Sequence, residues 1–253
     1  MKITIVTVCY NASAMIESTI QSVLAQTYQN IEYIVIDGGS ADGTVDIIKK
    51  YEHSISKWIS EPDRGIYDAM NKGIELATGD YINFMNAGDA FYDDKVISNI
   101  FESTDNIGDV IFGNAICLFR NGLIQIQGKS FNKNDIHLPF VHQSSFVRAI
   151  LAKEYLFNLK YKIAADYDFF YRIYLNKYTF QYFDMPISRY DMNGYSSENI
   201  INTYREVAMS NKSDGTIQYY FRFMMLQAKI ICKKFIPSKI LHYYRHTRFG
   251  MNN

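Results

Sequence analysis

Residues 31–40 read IEYIVIDGGS, an apolar run that ends in Asp37 and a pair of glycines. A continuous run of isoleucine and valine is typical of a strand buried on both faces, and the glycines predict a tight turn after it. Residues 2–8 repeat this pattern upstream, and the polar pair Tyr10 and Asn11 follows that strand. Helical spacing of apolar residues separates the two strands, so they are predicted to lie parallel in one sheet.

The alternation of strands and helices continues to residue 90. A third strand is predicted to close at Trp58 and Ile59, a helix follows over residues 66–77, and residues 81–85 form a fourth strand. Four strand-helix repeats with short connections predict an α/β fold, with a mostly parallel central sheet and helices on both faces.

The second half of the chain has a less regular pattern. Residues 109–127 predict two antiparallel strands that turn at Asn121-Gly122, and residues 178–192 predict two more around Pro186. The chain shows no internal repeat, low-complexity segment or linker.

Helices are predicted over residues 167–175 and 198–212, and a further helix stops before Pro237. The chain is therefore expected to form one domain over residues 1–215, followed by a helical extension over residues 216–253.

Charge is balanced over the whole chain but not along it. Lys plus Arg and Asp plus Glu number 26 each, so no global field favours nucleic acid as a partner. No acidic residue follows Asp214, whereas seven basic residues do. They are Arg222, Lys229, Lys233, Lys234, Lys239, Arg245 and Arg248.

The extension has two faces in helical projection. Ile217, Phe221 and Met224 share an apolar face, and Arg222 and Lys229 share a basic one. Such a helix suits an anionic membrane surface, which is the predicted partner of the extension. A surface helix that is merely solvated is the alternative.

The cysteine pattern and the apolar runs bear on location. Cys9, Cys117 and Cys232 lie too far apart for a disulfide framework or a paired zinc knuckle. No apolar run reaches the roughly 18 to 20 residues of a membrane span, and the start of the chain lacks the form of a signal peptide. The protein is therefore expected in the reducing cytoplasm.

Polar clusters follow all four strands that the first half of the sequence predicts. They are Tyr10-Asn11, Asp37-Gly-Gly-Ser40, Glu61-Pro-Asp-Arg-Gly65 and Asn86-Ala-Gly-Asp89. Ligands of an open parallel sheet bind beyond the carboxyl ends of its strands, so these clusters predict one binding rim. Ordinary turn residues are the alternative for any single cluster.

The order of these clusters resembles that of bacterial family 2 glycosyltransferases, which are inverting enzymes with the GT-A fold. The matching segments are TVCYN (7–11), IDGGSADGT (36–44), SEPDRGIYDAMNKGI (60–74), NAGD (86–89), HQS (142–144) and ADYD (165–168). The resemblance covers residues 1 to about 200. It implies a Rossmann-like sheet in which residues 1–90 bind the nucleotide and residues 91–215 face the acceptor.

The resemblance also implies the reaction. A hexose or N-acetylhexosamine moves from a nucleotide-sugar, most often a UDP-sugar, to a hydroxyl of a glycan or polyprenyl-linked saccharide in surface polysaccharide synthesis. Lipid-linked acceptors of this kind imply a peripheral position at the inner face of the cell membrane.

Particular residues take roles by the same resemblance. Thr7 and Asp37 are expected to recognise the nucleobase, because a carboxylate accepts a hydrogen bond from the ring N–H of uracil. The whole set expected at the nucleotide-sugar is Thr7, Tyr10, Asn11, Asp37, Asp63, Arg64, Asp68, Asn71, Lys72 and Asn86.

The segment expected at the diphosphate departs from the family pattern. Family members usually carry a DxD motif whose carboxylates hold Mg²⁺ or Mn²⁺, but here the segment is Asn86-Ala-Gly-Asp89. Asp89 and His142 are expected to ligate a divalent ion, and Asn86 can offer an amide oxygen. His142 alternatively touches a phosphate or has only a structural role.

Met70 is a second departure, since the family often has an arginine there. Arg64 or Lys72 is expected to supply that positive charge.

The acidic pair Asp166 and Asp168 is expected on the acceptor side, with His142 and Gln143. Asp166 matches the general base of the family, which removes the proton of the acceptor hydroxyl. Asp168 lies four residues before Arg172, a spacing typical of a helical ion pair, and this spacing favours a structural role for Asp168.

Two other functions stay open on the sequence. The missing DxD carboxylate permits a catalytically inactive nucleotide-binding scaffold within a membrane glycan-assembly complex. A nucleotidyltransferase would also bind a nucleotide at a parallel sheet, but it needs a glycine-rich phosphate loop that Cys9-Tyr-Asn-Ala12 does not provide. The sequence likewise lacks the GxGxxG motif of a dinucleotide-binding dehydrogenase.

Overall fold

The fold is seen in a computed structural model that describes residues 1–103, 107–119, 122–131, 137–191 and 199–235. Its strands are β1 (Ile3–Cys9), β2 (Ile31–Asp37), β3 (Lys57–Ser60), β4 (Tyr81–Phe84), β5 (Ala90–Phe91), β6 (Val110–Phe119), β7 (Gly122–Ile126), β8 (Ser145–Arg148) and β9 (Phe180–Asp191). Its α-helices are α1 (Ile16–Leu24), α2 (Thr44–Lys50), α3 (Ile66–Leu76), α4 (Val96–Phe101), α5 (Ala149–Tyr155), α6 (Ala165–Leu175), α7 (Ile200–Ser210) and α8 (Ile217–Phe235).

The strands of the described residues form one sheet in the order β3-β2-β1-β4-β8-β6-β9-β5, with β7 paired to β6. Strands β1 to β4 pair in parallel, which confirms the prediction for the first half of the chain. Strand β8 runs antiparallel to both β4 and β6 and joins the two halves. Because β1 and β4 are neighbours, the loops after them meet at one edge of the sheet.

Helices cover both faces of the sheet, as predicted. Along β1, Val6 and Val8 face a core that contains residues of α3, α5 and α6, whereas Ile3 and Ile5 face a second core that contains residues of α1, α2 and α4. This alternation follows from the two-residue period of a strand. Helix α3 lies directly on β1, because a Cβ atom at Gly73 would come 2.4 Å from Val6 Cγ1.

A buried carboxylate on β2 ties the start of the sheet together. Glu32 is only 4% exposed, and its oxygens accept hydrogen bonds from Thr4 Oγ1 at 2.7 Å and from the Thr78 backbone N–H at 2.7 Å. Lys2 Nζ lies 3.1 Å from the same carboxylate. Glu32 therefore links β1, β2 and the turn that follows α3.

The prediction of two strands around Pro186 is wrong. Residues 180–191 form one strand, β9, which pairs in parallel with β6. The register shifts on both sides of Asn114, which is opposite Pro186. A proline lacks the N–H that a regular ladder needs, and this irregularity lets the strand pass through it without a turn.

The other predictions for the second half agree with the described residues. Strands β6 and β7 pair antiparallel, as predicted for residues 109–127. Helices α6 and α7 lie within or near their predicted ranges, and α8 forms the predicted C-terminal helix. Asn121, the start of the helix predicted at residue 198, and Pro237 lie outside the described residues.

Candidate active site

A cleft of about 300 Å³ lies beyond the carboxyl ends of β1 and β4, beside the start of α3. Its walls include residues from three of the four loops that the sequence predicts as a binding rim, those after β1, β3 and β4. The lining residues are Val8, Cys9, Tyr10, Ala12, Met15, Asp63, Gly65, Ile66, Ala69, Asn86 and Ala87. The volume is at the lower end of the range for small-molecule sites, and the walls combine apolar side chains with a few polar groups.

Tyr10, Asp63 and Asn86 are the predicted nucleotide-sugar residues that line this cleft. Tyr10 is 65% exposed, so its ring is free to stack on a planar ligand. Asp63 accepts a hydrogen bond from the Gly65 backbone N–H at 2.8 Å. It also lies against Gly38, where a Cβ atom would come 2.4 Å from Asp63 Oδ2, so glycine is required there for this approach.

Asp37 does not line the cleft but holds the turn beneath it. Its carboxylate is fully buried and accepts hydrogen bonds from the Ser40 N–H at 2.9 Å and from Ser60 Oγ at 2.6 Å. Burial raises the pKa of the Asp37 carboxyl, but the hydrogen bonds from Ser40 and Ser60 outweigh burial and leave the pKa below its usual value. The turn over residues 37–40 is thus built around a carboxylate that stays ionised.

Thr7 and Asn11 make hydrogen bonds that hold the backbone around the cleft. The Thr7 hydroxyl is buried and donates to the Met85 carbonyl at 2.8 Å, so it points into the core. Asn11 Oδ1 accepts from the Ala41 N–H at 3.1 Å and joins the loops after β1 and β2. Contacts of Thr7 and Asp37 with a nucleobase stay predictions.

Both predicted cations have acidic partners. The Arg64 guanidinium lies 2.8 Å from Asp68 Oδ1, and Lys72 Nζ lies 2.7 Å from Glu61 Oε1. The hydrogen bond from Arg64 lowers the pKa of the Asp68 carboxyl. Arg64 has a side chain that is 74% exposed, so it can exchange this partner for a ligand at little cost.

Asn71 performs a structural task at the side of the site. Its amide donates to the Phe157 carbonyl at 2.9 Å and accepts from the Phe157 N–H at 2.8 Å. These two hydrogen bonds fix the loop that follows α5 against α3.

The predicted metal region contains one buried oxygen without a donor. Asn86 is 8% exposed, and no described residue donates to its Oδ1 atom. Asp89 lies in the same turn, where its N–H donates to the Asn86 carbonyl at 2.9 Å. The Asp89 carboxylate accepts from Gln143 Nε2 at 2.8 Å.

These residues fit a magnesium or manganese ion that takes most of its ligands from elsewhere. The described residues contain no group of three His, Cys, Asp or Glu side chains that could hold a metal. Mg²⁺ commonly binds through one or two protein oxygens, with waters and substrate phosphates completing the shell. Asp89 and Asn86 offer that minimal set, since one is a carboxylate and the other has an unpaired buried oxygen.

His142 lies between Asn86 and Asp166. Its Nε2 atom is 3.2 Å from Asn86 Nδ2, and its Nδ1 atom is 3.4 Å from Asp166 Oδ2. Tyr67 Oη lies 3.3 Å from the other oxygen, Asp166 Oδ1. The Asp166 side chain is 22% exposed, so it remains accessible to a ligand at the edge of the cleft.

Asp168 lies away from this group. Its side chain is 7% exposed and accepts from Arg172 Nε at 2.7 Å and from Ser210 Oγ at 2.9 Å. The structural ion pair with Arg172 is confirmed, and Ser210 of α7 covers its acidic partner. The structure therefore gives Asp168 no contact with the cleft.

Three residues at the site are missed by sequence reasoning. Ser60 and Cys9 both contact Asp37, with Cys9 Sγ at 3.5 Å from Oδ1, and Cys9 also lines the cleft. Tyr67 contacts Asp166. Position at a strand end is a signal for Ser60 and Cys9, but a tyrosine on a helix carries no such signal.

The fold and the cleft define an α/β protein that takes its ligand beyond the carboxyl ends of parallel strands. Residues 4–180 match the family model Glycosyl transferase family 2, so the chain belongs to this family. The resemblance inferred from the motifs is confirmed, and the sheet is consistent with the Rossmann-like GT-A fold.

Curated relatives of this chain are named as glycosyltransferases. An uncharacterized glycosyltransferase of Mycobacterium tuberculosis is 36% identical over 179 residues, which span 67% of this chain and 68% of the relative. A PGL/p-HBAD biosynthesis glycosyltransferase of Mycobacterium bovis is 27% identical over 202 residues, which span 76% of this chain and 77% of the relative.

Solved structures share the fold. The S. aureus TarS 1-349 structure in complex with UDP has a TM-score of 0.66 at 20% identity, and the match covers 83% of this chain but only 65% of that one. The mannosyltransferase PcManGT from Pyrobaculum calidifontis, in complex with GDP-Man and Mn²⁺, has a TM-score of 0.63 at 14% identity. That match covers 85% of this chain and 64% of PcManGT. At these identities the likeness concerns the fold alone.

Proposed function

We propose that this protein is an inverting glycosyltransferase that transfers a sugar from a UDP-sugar to a hydroxyl of a glycan or lipid-linked saccharide. The observation that carries the proposal is the accessible Asp166 carboxylate, which His142 connects to Asn86 in the cleft wall. Family membership and the UDP bound in the TarS structure support the donor class. The sugar is a hexose or an N-acetylhexosamine.

Asp166 is the proposed general base. A carboxylate oxygen of Asp166 accepts the proton of the acceptor hydroxyl. At the same time the hydroxyl oxygen attacks the anomeric carbon, and the bond from that carbon to the nucleoside diphosphate breaks. Attack from the face opposite the leaving group inverts the anomeric centre. The Asp166 side chain is 22% exposed, which leaves room for an acceptor hydroxyl. The Asp168 side chain is only 7% exposed, and Arg172 and Ser210 occupy its oxygens.

The cleft is the proposed donor site. In this proposal the nucleobase of the donor stacks on Tyr10, and the diphosphate lies near Asn86 and Asp89. Asp89 and Asn86 are the proposed ligands of Mg²⁺ or Mn²⁺, with waters and the diphosphate completing the shell. When bound, such an ion neutralises the charge that develops on the leaving diphosphate.

Calorimetry with UDP tests the donor site. We expect UDP to bind more tightly with Mn²⁺ or Mg²⁺ than with a chelator, and more tightly than GDP. Asp89→Ala should weaken metal-dependent binding about 10-fold or more, because it removes the one carboxylate among the proposed metal ligands. Asp37→Ala should also weaken binding, since it removes the acceptor around which the turn is built.

The matched control is Asp46→Ala, which removes an exposed carboxylate from α2 and should leave UDP affinity unchanged. Equal affinity with metal and with chelator contradicts the metal proposal. Tighter binding of GDP contradicts the choice of UDP and leaves the glycosyltransferase proposal intact.

We also propose that α8 brings the enzyme to an anionic membrane surface. Tyr219 and Phe223 attach the helix to the body, since their rings lie 5.4 and 6.1 Å from the ring of Tyr204. The opposite side of the helix exposes a row of apolar side chains: Ile217, Tyr220, Phe221, Met224 and Met225. No acidic residue follows Asp214 in the sequence, so this apolar row continues into a basic segment.

Vesicle co-sedimentation tests this contact. Binding to vesicles that contain anionic lipid should fall steeply with salt, because each basic residue near the surface contributes about 1 kcal/mol that salt screens. Phe221→Glu should reduce binding, whereas Ile150→Glu should not, although Ile150 on α5 is a 70% exposed apolar residue too. Equal effects of the two variants, or no binding by the wild type, would leave α8 as an ordinary surface helix. Within the described residues, no helix is long and apolar enough to cross a membrane.

A further inference from the structure

We infer that His142 is a positioning residue for Asp166, and that the Asn86 amide sets which of its ring nitrogens carries the proton. This inference rests on the proposed role of Asp166 as the general base. It assigns His142 a task other than the predicted metal ligation.

The backbone around His142 is held rigidly, so the place of its ring is well determined. His142 opens a 3₁₀ turn, His142–Ser144, immediately before β8. Ser145 Oγ donates to the His142 carbonyl at 2.7 Å, and Asn83 Nδ2 donates to the Gln143 carbonyl at 2.9 Å. The ring itself is 17% exposed between the cleft and α6.

With the Asn86 amide in this orientation, the contacts of the two ring nitrogens correspond to one tautomer. Asn86 Nδ2 is an N–H donor, and at 3.2 Å it can bond only to a ring nitrogen that has a free lone pair. With Nε2 as the acceptor, the proton of the neutral ring lies on Nδ1. That N–H faces Asp166 Oδ2 at 3.4 Å, and it attracts the carboxylate and restricts its rotation.

Tyr67 supports the other side of the same carboxylate. Its hydroxyl donates to the Ile163 carbonyl at 2.7 Å and lies 3.3 Å from Asp166 Oδ1. Asp166 Oδ1 also accepts from the Tyr167 N–H at 2.8 Å. Oδ1 is thus engaged by α3 and by the first turn of α6, while Oδ2 is held by His142 alone among the contacts of these described residues.

This arrangement gives a physical reason for asparagine in place of the usual carboxylate at position 86. An aspartate there has no N–H to donate, so it would accept from a proton on Nε2. The amide donor of Asn86, by contrast, leaves the single proton of the neutral ring on Nδ1, where it faces the Asp166 oxygen.

A metal-ligand role and a positioning role predict different results. A ring that binds a metal through Nε2 must give up its contact with Asn86 Nδ2, and its loss should abolish the effect of metal on UDP affinity. A positioning residue acts only through Asp166, so its loss should affect the rate and leave donor binding alone.

A double-mutant cycle separates the two roles. His142→Ala is expected to lower kcat about 10- to 100-fold, the usual effect of removing a partner that orients an active group. The donor KM and the gain of UDP affinity with Mn²⁺ should stay at wild-type values. In an Asp166→Asn background, His142→Ala should slow transfer by no more than about 2-fold, because the group it orients is already gone.

Two further variants serve as controls. His142→Gln retains an N–H donor and should recover part of the lost kcat, but only when Asp166 is present. His53→Ala removes an exposed histidine from another 3₁₀ turn and should have no effect. UDP calorimetry shows for each variant whether the fold is retained, and His142→Gln replaces His142→Ala in the cycle if the alanine variant does not bind UDP.

Additive losses in the cycle, or loss of the Mn²⁺ effect in His142→Gln, overturn the inference and leave the proposed function standing. Full activity of Asp166→Asn is a distinct result, because it contradicts the proposed base first and the positioning role with it.

Discussion

Asp166→Asn is expected to lower the transfer rate by about 10² to 10⁴-fold, the typical contribution of a positioned general base. The asparagine has nearly the same shape but cannot accept the proton of the acceptor hydroxyl. UDP affinity should change little, because Asp166 does not line the cleft. Steady-state transfer to a saccharide acceptor, with UDP calorimetry in parallel, measures both effects.

Asp168→Asn is the matched control within the same helical turn. It should retain transfer activity but lower the free energy of unfolding by about 2 kcal/mol, because a hydrogen bond between charged groups is worth about that much. The value exceeds that of an exposed helical pair because the Asp168 side chain is 7% exposed and Ser210 also bonds to it.

The opposite pattern, with Asp168→Asn inactive and Asp166→Asn active, would move the base assignment by two residues. If neither substitution affects transfer, the proposed mechanism is wrong. A wild-type protein that binds UDP but transfers no sugar to any acceptor would instead support the inactive scaffold.

Glu32→Gln should lower the free energy of unfolding by about 3 kcal/mol at neutral pH, since removing one partner of a buried charged group has effects of that size. Burial raises the pKa of Glu32, but hydrogen bonds from Thr78, Thr4 and Lys2 outweigh it and lower the pKa to about 2. The ionised carboxylate is therefore favoured in the folded state relative to the unfolded chain.

The pH dependence follows from that direction. A carboxyl whose pKa is lower in the folded state contributes its full stability above its ordinary pKa of 4.5 and loses it as the pH falls toward about 2. The difference in stability between wild type and Glu32→Gln should therefore narrow over this interval in urea titrations. Glu75→Gln, which changes an exposed residue of α3, is the control. A difference that stays constant from pH 7 to 2 would rule out the charged form as the cause.

Much of the fold is predictable because its signals are local. The alternation of apolar strands and amphipathic helices in residues 1–90 specifies parallel strands, since short connections and a right-handed crossover leave few other topologies. Pro186 shows the limit of this reasoning. Whether a proline ends a strand depends on whether the neighbouring strand has a full ladder opposite it, and that neighbour, β6, is more than sixty residues away in sequence.

The site also has some features that follow from the order of elements in the sequence and others that depend on tertiary contacts. The polar clusters after β1, β3 and β4 come together because the carboxyl ends of parallel strands share one edge, so the general position of the cleft follows from the order of elements. The direction of each side chain does not follow. Asp37 turns inward, because a buried carboxylate needs hydrogen-bond donors and the N–H groups of its own turn supply them.

Tertiary packing gives the physical basis for separating the two acids of α6. In sequence, the family motif favours Asp166 as the base and the spacing to Arg172 favours a structural Asp168, but both acids lie in the first turn of one amphipathic helix. In the fold, α7 covers Asp168 while Asp166 faces His142, a residue that precedes β8 and comes into contact with Asn86 because β8 pairs with β4. Local periodicity determines that a helix forms there, because it depends on neighbours three and four residues away. Which of its carboxylates can meet a substrate depends on elements distant in sequence, whose contacts exist only once the sheet has assembled.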